Sequence, residues 1–179
     1  MIKLGAKDLR TLKPSDFHLS QITKKRRDIY FILENVLDTY NVGGIFRLAD
    51  AIGARKVYLC QETETPPNSR IKKASINTTE WVAWEYAETA TEAIQNLKFR
   101  IQNLQVIAVE QDEGSVQYDK IDYKLPLALV VGNETTGISK EALNLCHYIA
   151  EIPMFGVNKS LNVIASLSIV VYKATESLP

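Results

Sequence analysis

The stretch IYFILENVLDTYNVGGIFRLADAIGARKVYLC, residues 29–60, contains one complete strand–helix–strand unit. Residues 29–33 form a continuous apolar run of strand length. Val42, Ile45, Phe46, Ala49 and Ile52 then recur at helical spacing, and Gly53 stands where a helix C-terminus ends. Residues 57–60 make a second apolar run. A strand that is apolar at every position has both faces covered, which is the habit of parallel sheets.

The alternation continues outward. Pro66-Pro67 opens a loop, and the residues around Trp81 follow no clear period. Thr89 and Glu92 have capping-box spacing and lead a helix with Ala93, Ile94, Leu97 and Ile101 on one face. Residues 106–109 and 127–131 read as strands, joined by a polar connection over 114–124. A short helix over 140–145 and a strand over 149–152 follow. The last helix is expected to start after Ser160. It is apolar on nearly every face (Leu161, Val163, Ile164, Leu167, Ile169, Val170, Val171), so it must be buried, either within the monomer or against a second subunit. The fold class is therefore α/β, a parallel sheet flanked by helices. No internal repeat or linker divides residues 29–179, and residues 1–28 read as a basic appendage.

With 179 residues, 46% hydrophobic and 23% charged, the chain suits one soluble domain and excludes disorder or low complexity. No apolar run approaches the ~20 residues that span a bilayer, so no membrane partner is expected. The first ten residues lack the apolar core of a secretory signal. Cys60 and Cys146 cannot form a disulfide framework or a zinc site, and His18 and His147 make no metal spacing with them. A cytoplasmic, metal-free protein is the expectation. The zero net charge hides an asymmetry: residues 1–30 hold eight Lys/Arg against three Asp, which is +5, and the remainder is −5. Within that segment Lys24, Lys25, Arg26 and Arg27 form either a phosphate contact or a solvated face.

No phosphate-binding G-x-x-x-x-G-K-[ST], no dinucleotide fingerprint and no G-x-S-x-G occurs. Three other segments carry the unusual content. In Asn41-Val42-Gly43-Gly44-Ile45-Phe46-Arg47, Asn41 suits a helix N-cap, and the paired glycines admit a close backbone or ligand. Arg47 points nearly opposite the apolar stripe. The strand 127–131 runs into Gly132-Asn133-Glu134-Thr135-Thr136-Gly137, at the end of a strand where α/β sheets bind ligands. There Gly132 leaves backbone free for a flat ligand, and Glu134 accepts hydrogen bonds. In residues 152–163, Ile152 and Met154 offer an apolar wall, Ser160 suits an N-cap, and Asn162 sits early in a helix whose first amides are free.

Taken together and in order, these segments resemble the SpoU class of the SPOUT superfamily, S-adenosylmethionine-dependent RNA ribose 2′-O-methyltransferases. Asn41 and Arg47 match its first motif. Gly132, Glu134 and Gly137 match its second. Ile152, Pro153, Met154, Gly156, Ser160, Leu161, Asn162 and Val163 match its third. The resemblance covers residues 29–175. It implies a C-terminal trefoil knot, a homodimer with sites at the interface, and a cofactor pocket lined by Gly132, Ile152, Met154, Ser160 and Leu161, with Val109 beside them. It also implies catalytic roles for Arg47, Asn41, Glu134, Ser160 and Asn162, and an RNA substrate, tRNA ahead of rRNA. A free guanidinium is a poor general base, so Arg47 reads as a positioning, oxyanion-stabilising group. Where many members continue with serine and alanines after the third motif, this chain has Ile164 and then Ala165. The longer C-terminal extension and the ribosomal-type N-terminal domain of some members are not found, which leaves the target RNA open. Two other classes stay in view: a SPOUT-like RNA-binding module without turnover, and a nucleotide-binding α/β enzyme that takes NAD or ATP.

Overall fold

The computed structural model describes residues 5–11 and 26–176. In chain order the elements are α1 (Ala6–Leu9), β1 (Arg27–Glu34), α2 (Thr39–Ile52), β2 (Ala54–Cys60), α3 (Ser69–Ser75), β3 (Ala83–Ala87), α4 (Ala90–Arg100), β4 (Gln105–Val109), β5 (Val116–Gln117), β6 (Leu127–Val131), α5 (Lys140–Leu143), β7 (Tyr148–Glu151) and α6 (Val163–Glu176). The strands form one seven-stranded sheet in the order β3-β2-β1-β6-β4-β7-β5. All six pairings are parallel.

The apolar strands are covered on both sides. Alternate residues of β1 feed opposite faces, as the two-residue period of a strand requires. Ile29, Phe31 and Leu33 pack with Val42, Ile45 and Phe46 of α2 and with Leu167, Val170 and Val171 of α6. Tyr30 and Ile32 pack on the other face with Ala93, Ile94 and Leu97 of α4. Register pairs Leu33 with Val131 and Val109 with Ala150. The C-terminal ends of β1, β6, β4 and β7 therefore lie side by side, and the loops that follow them converge.

Helix ends follow local chemistry. Gly53 ends α2 in the left-handed region, φ 70°, and its N–H donates to Ala49 O and Asp50 O. The Thr89 hydroxyl accepts from Glu92 N–H at 3.0 Å. The Glu92 carboxylate reaches back to the Glu88 amide rather than to that of Thr89. The region around Trp81 resolves into α3, a 3₁₀ turn over Thr78–Glu80 and the edge strand β3. The polar connection after Gly114 holds β5, which pairs with β7.

Three expectations are corrected. Helix α2 begins at Thr39 and is capped by Asp38, whose carboxylate accepts the Tyr40 N–H at 2.8 Å, so Asn41 lies inside the first turn and not at the cap. Helix α6 begins at Val163, not after Ser160, because Asn162 Oδ1 accepts the Ile164 N–H at 2.9 Å and takes the capping role. Ser160 lies exposed in the preceding loop. Only one face of α6 is buried in the monomer, whereas Ile169 and Tyr172 are exposed. Arg26 is not a free cation. It is buried, its guanidinium donating to Asp50 at 2.9 Å and to Ala54 O at 3.0 Å. Of that basic run Arg27 is exposed, and Lys24 and Lys25 lie outside the described residues.

Candidate functional site

The converging loops enclose a cleft of about 170 Å³. Its wall includes Val109, Gly132, Ile152, Met154, Ser160 and Leu161, all six positions expected to hold a cofactor. β4 brings Val109, β6 leads into Gly132, and the chain leaving β7 supplies the other four.

A relay of side chains joins the three motif segments at the mouth of this cleft. The Ile164 amide donates to Asn162 Oδ1, Asn162 Nδ2 donates to Asn41 Oδ1 at 3.1 Å, and Asn41 Nδ2 donates to Glu134 Oε1 at 2.6 Å. The direction of the relay is set from both ends. A backbone N–H can only donate and a carboxylate can only accept, so neither amide can flip without facing like to like. Residues 93 and 121 positions apart are thereby locked together.

The loop after β6 is shaped by backbone closeness. A Cβ on Gly132 would overlap Gly137 C and O and lie 2.6 Å from Ile138 N. Its missing side chain thus makes room for the protein's own backbone rather than for a flat ligand. Gly137 has φ +69°, and a Cβ there would lie 2.6 Å from Glu110 Oε2. Asn133 closes the turn, accepting from Thr135 N–H and Thr136 N–H and donating to Asn35 O.

Two carboxylates that the sequence reading missed anchor this loop. Glu34, buried at the end of β1, accepts from Ser139 N–H at 2.9 Å and from Ser139 Oγ at 2.7 Å. Glu110, just after β4, accepts from Ile138 N–H at 3.2 Å. Gln111 reaches over the cleft and donates to Lys159 O at 2.8 Å. The available signal was a glutamate closing an apolar strand, which occurs at both Glu34 and Glu110.

The glycines of the first motif also serve packing. A Cβ on Gly43 would come within 2.5 Å of Ala74 Cβ, and one on Gly44 would overlap Ile164 Cδ1. Ile164, the departure noted after the third motif, fills the space above Gly44. Arg47 is exposed and has no ion pair or hydrogen bond among the described residues. It lies ~9 Å along the helix axis from Asn41 and does not line the cleft. The cleft wall carries Glu110 and Glu134 but no Lys or Arg among the described residues, so it favours a cationic ligand. No backbone N–H from Met154 to Asn162 donates to a described group, leaving amides free beside an apolar wall. No group of His, Cys, Asp and Glu among the described residues could hold a metal ion. The Cys60 and Cys146 thiols are pushed up to about 12 by burial, so they do not serve as nucleophiles at neutral pH.

The model of the SpoU rRNA Methylase family matches residues 28–172. The tRNA (guanosine(18)-2′-O)-methyltransferase of Escherichia coli (strain K12) is 31% identical over 156 residues, which are 86% of this chain and 65% of that protein. The A. aeolicus TrmH/SpoU tRNA modifying enzyme superposes with a TM-score of 0.77 at 28% identity, covering 96% of this chain and 81% of that one. The AdoMet-bound rRNA methyltransferase from Sinorhizobium meliloti gives 0.77 at 31% identity, covering 96% and 60%.

Proposed function

Since the chain belongs to the SpoU rRNA Methylase family, we propose that it methylates a ribose 2′-hydroxyl of RNA, tRNA first, with S-adenosylmethionine as methyl donor. The observation that carries this reading is the relay Asn162–Asn41–Glu134 at the mouth of the cleft. It joins all three motif segments beside a pocket whose chemistry suits the cofactor. Free amides and an apolar wall suit an adenosine, and two carboxylates suit a sulfonium.

Bound there, S-adenosylmethionine supplies an electrophilic methyl group on a positively charged sulfur. The protein's task is alignment. Val109, Ile152, Met154 and Leu161 hold the cofactor's apolar parts, while Gly132 lets the loop fold tightly enough to form the wall. Glu134 and Asn162 fix the Asn41 amide and leave one of its N–H groups for a ribose oxygen. Ser160 lines the same wall with a free hydroxyl. Arg47 is assigned to a phosphate and to the negative charge that develops on the 2′-oxygen. Its distance from the cleft, with Ile169 and Tyr172 exposed on α6, favours a homodimer in which one protomer's Arg47 serves its partner's cleft. The same reading includes the trefoil knot, favoured by β7 pairing between β4 and β5 and by the Gln111–Lys159 tie across the cleft. It also includes a 29–179 catalytic domain with a basic 1–28 segment, working in the cytoplasm without a metal.

The S. meliloti structure keeps rRNA as the second substrate class. One experiment tests both. RNA labelled from radioactive S-adenosylmethionine should yield an alkali-resistant dinucleotide, because a 2′-O-methyl group blocks cleavage at its own linkage. Incubation with tRNA and with rRNA fragments separates the substrates. Label in an alkali-released mononucleotide would mean base methylation and refute the assignment.

A further inference from the structure

Of the phosphate contact expected at residues 24–27, two members, Arg26 and Arg27, lie within the described residues. Arg26 is engaged inside the fold. Arg27 stands at the start of the eight-residue strand β1, ~23 Å along the strand from the cleft end. Neither of these two arginines stands near RNA held at the cleft, where other exposed cations lie closer.

Helices α2 and α3 supply them. On α2 the two glycines mark its flanks, with α3 against Gly43 and Ile164 against Gly44. At ~100° per residue, Tyr40 and Arg47 fall about 20° apart, on the exposed ridge between those flanks. On α3, Ala74 meets Gly43, while Ile71 and Ser75 are buried. Arg70 and Lys73 project beyond Ala74, on the side turned away from Ile71 and Ser75, and so overlook the same seam. Lys72 sits on the opposite flank and pairs with Glu80 at 3.5 Å. Arg47, Arg70 and Lys73 have no ion pair among the described residues. Tyr40 is 53% exposed and directly precedes Asn41 of the relay. The Asp38 carboxylate, just before α2, is engaged in capping the helix through the Tyr40 N–H at 2.8 Å.

Free cations interleaved with an exposed ring along one groove are the recognition chemistry of a single nucleic-acid strand. We propose that the α2–α3 seam carries the RNA strand flanking the target nucleotide. Arg70 and Lys73 each neutralise a phosphate, and Tyr40 stacks on a base. This rests on the RNA reading above and extends it to a surface that none of the three motifs includes beyond Arg47.

The test measures RNA affinity against salt for the whole chain, using unmodified tRNA, with calorimetry of S-adenosylmethionine alongside. Each phosphate contact to single-stranded RNA contributes a slope of about 0.7 in log K against log salt. Arg70→Ala/Lys73→Ala should therefore lower the slope by about 1.4. That raises Kd about tenfold at 200 mM salt and about sixtyfold at 50 mM, with cofactor affinity unchanged. Arg27→Ala should change neither. Tyr40→Ala should weaken binding about fivefold or more at an unchanged slope, and Tyr40→Phe should restore it. A double variant with wild-type slope and Kd would overturn the proposal. If wild-type protein transfers no methyl group while the double variant still loses RNA affinity, the catalytic reading fails and the surface stands.

Discussion

Asn162 does two jobs through two different atoms, and substitution can separate them. Its Oδ1 caps α6 at Ile164 N–H, and its Nδ2 holds Asn41. Asn162→Ser keeps an oxygen suited to the cap and removes the reach to Asn41. Asn162→Ala removes both. A part-buried hydrogen bond contributes about 1 kcal/mol net, and a cap replaced by alanine costs about 1 kcal/mol more. In a chain of 179 residues each kcal/mol moves Tm by about 2–4 °C. The serine variant should thus melt about 2–4 °C below wild type and the alanine variant about 4–8 °C below. Both should lose most methyl transfer, since both leave Asn41 tethered only to Glu134. Thermal denaturation followed by circular dichroism, with single-turnover methylation on the same samples, gives both readings. Equal melting of the two variants would remove the capping role, and full activity in the serine variant would remove the relay from the chemistry.

Gly132→Ala sets a Cβ against backbone on two sides, so the loop must move, at about 1–3 kcal/mol. Calorimetry should show weakened S-adenosylmethionine binding, whereas Gly114→Ala, whose Cβ would meet only Asp112 Oδ1 at an ordinary 3.7 Å, should bind normally. Arg26→Ala should cost about 2 kcal/mol by denaturant melt, discounted because Asp50 is partly exposed. RNA affinity should not change, and a weakened affinity would restore Arg26 as a contact. Cys60, fully buried, should resist a thiol reagent at pH 8 until the protein unfolds, and Cys146, half-buried, should react slowly. Their raised folded values mean that stability is full below about pH 9 and falls as pH climbs toward about 12, as the unfolded thiols ionise first. Rapid labelling of native protein would contradict this burial.

Local pattern carried far along this chain. Apolar runs marked β1, β2, β4 and β6, Gly53 marked the end of α2, and three strand-end loops marked the site, because each is encoded by residues close in sequence. Strand order is not so encoded: nothing in residues 127–131 says that β6 pairs with β1 rather than with β5. Ser160 and Asn162 are both good capping residues, and the choice falls on Asn162 because Asn41, 121 residues away, holds it in place. Arg26 looks like part of a solvated run, yet Asp50 and the carbonyl of Ala54 draw it inward. Glu34 and Glu110 escaped notice because their partners, backbone amides and the Ser139 hydroxyl, are placed only by the tertiary fold.

The span of the relay has a consequence for synthesis on the ribosome. Chains grow at about 5–20 residues per second, so Asn162 emerges roughly 6 to 24 s after Asn41. For most of that interval, from the completion of β2 until β6 is made about a hundred residues after β1, one edge of β1 lacks its neighbour. An unpaired apolar edge of this kind invites wrong partners. The nascent chain should therefore draw on holdase chaperones during the second half of translation, and a pause placed after β3 should lower the soluble yield more than one placed after β7.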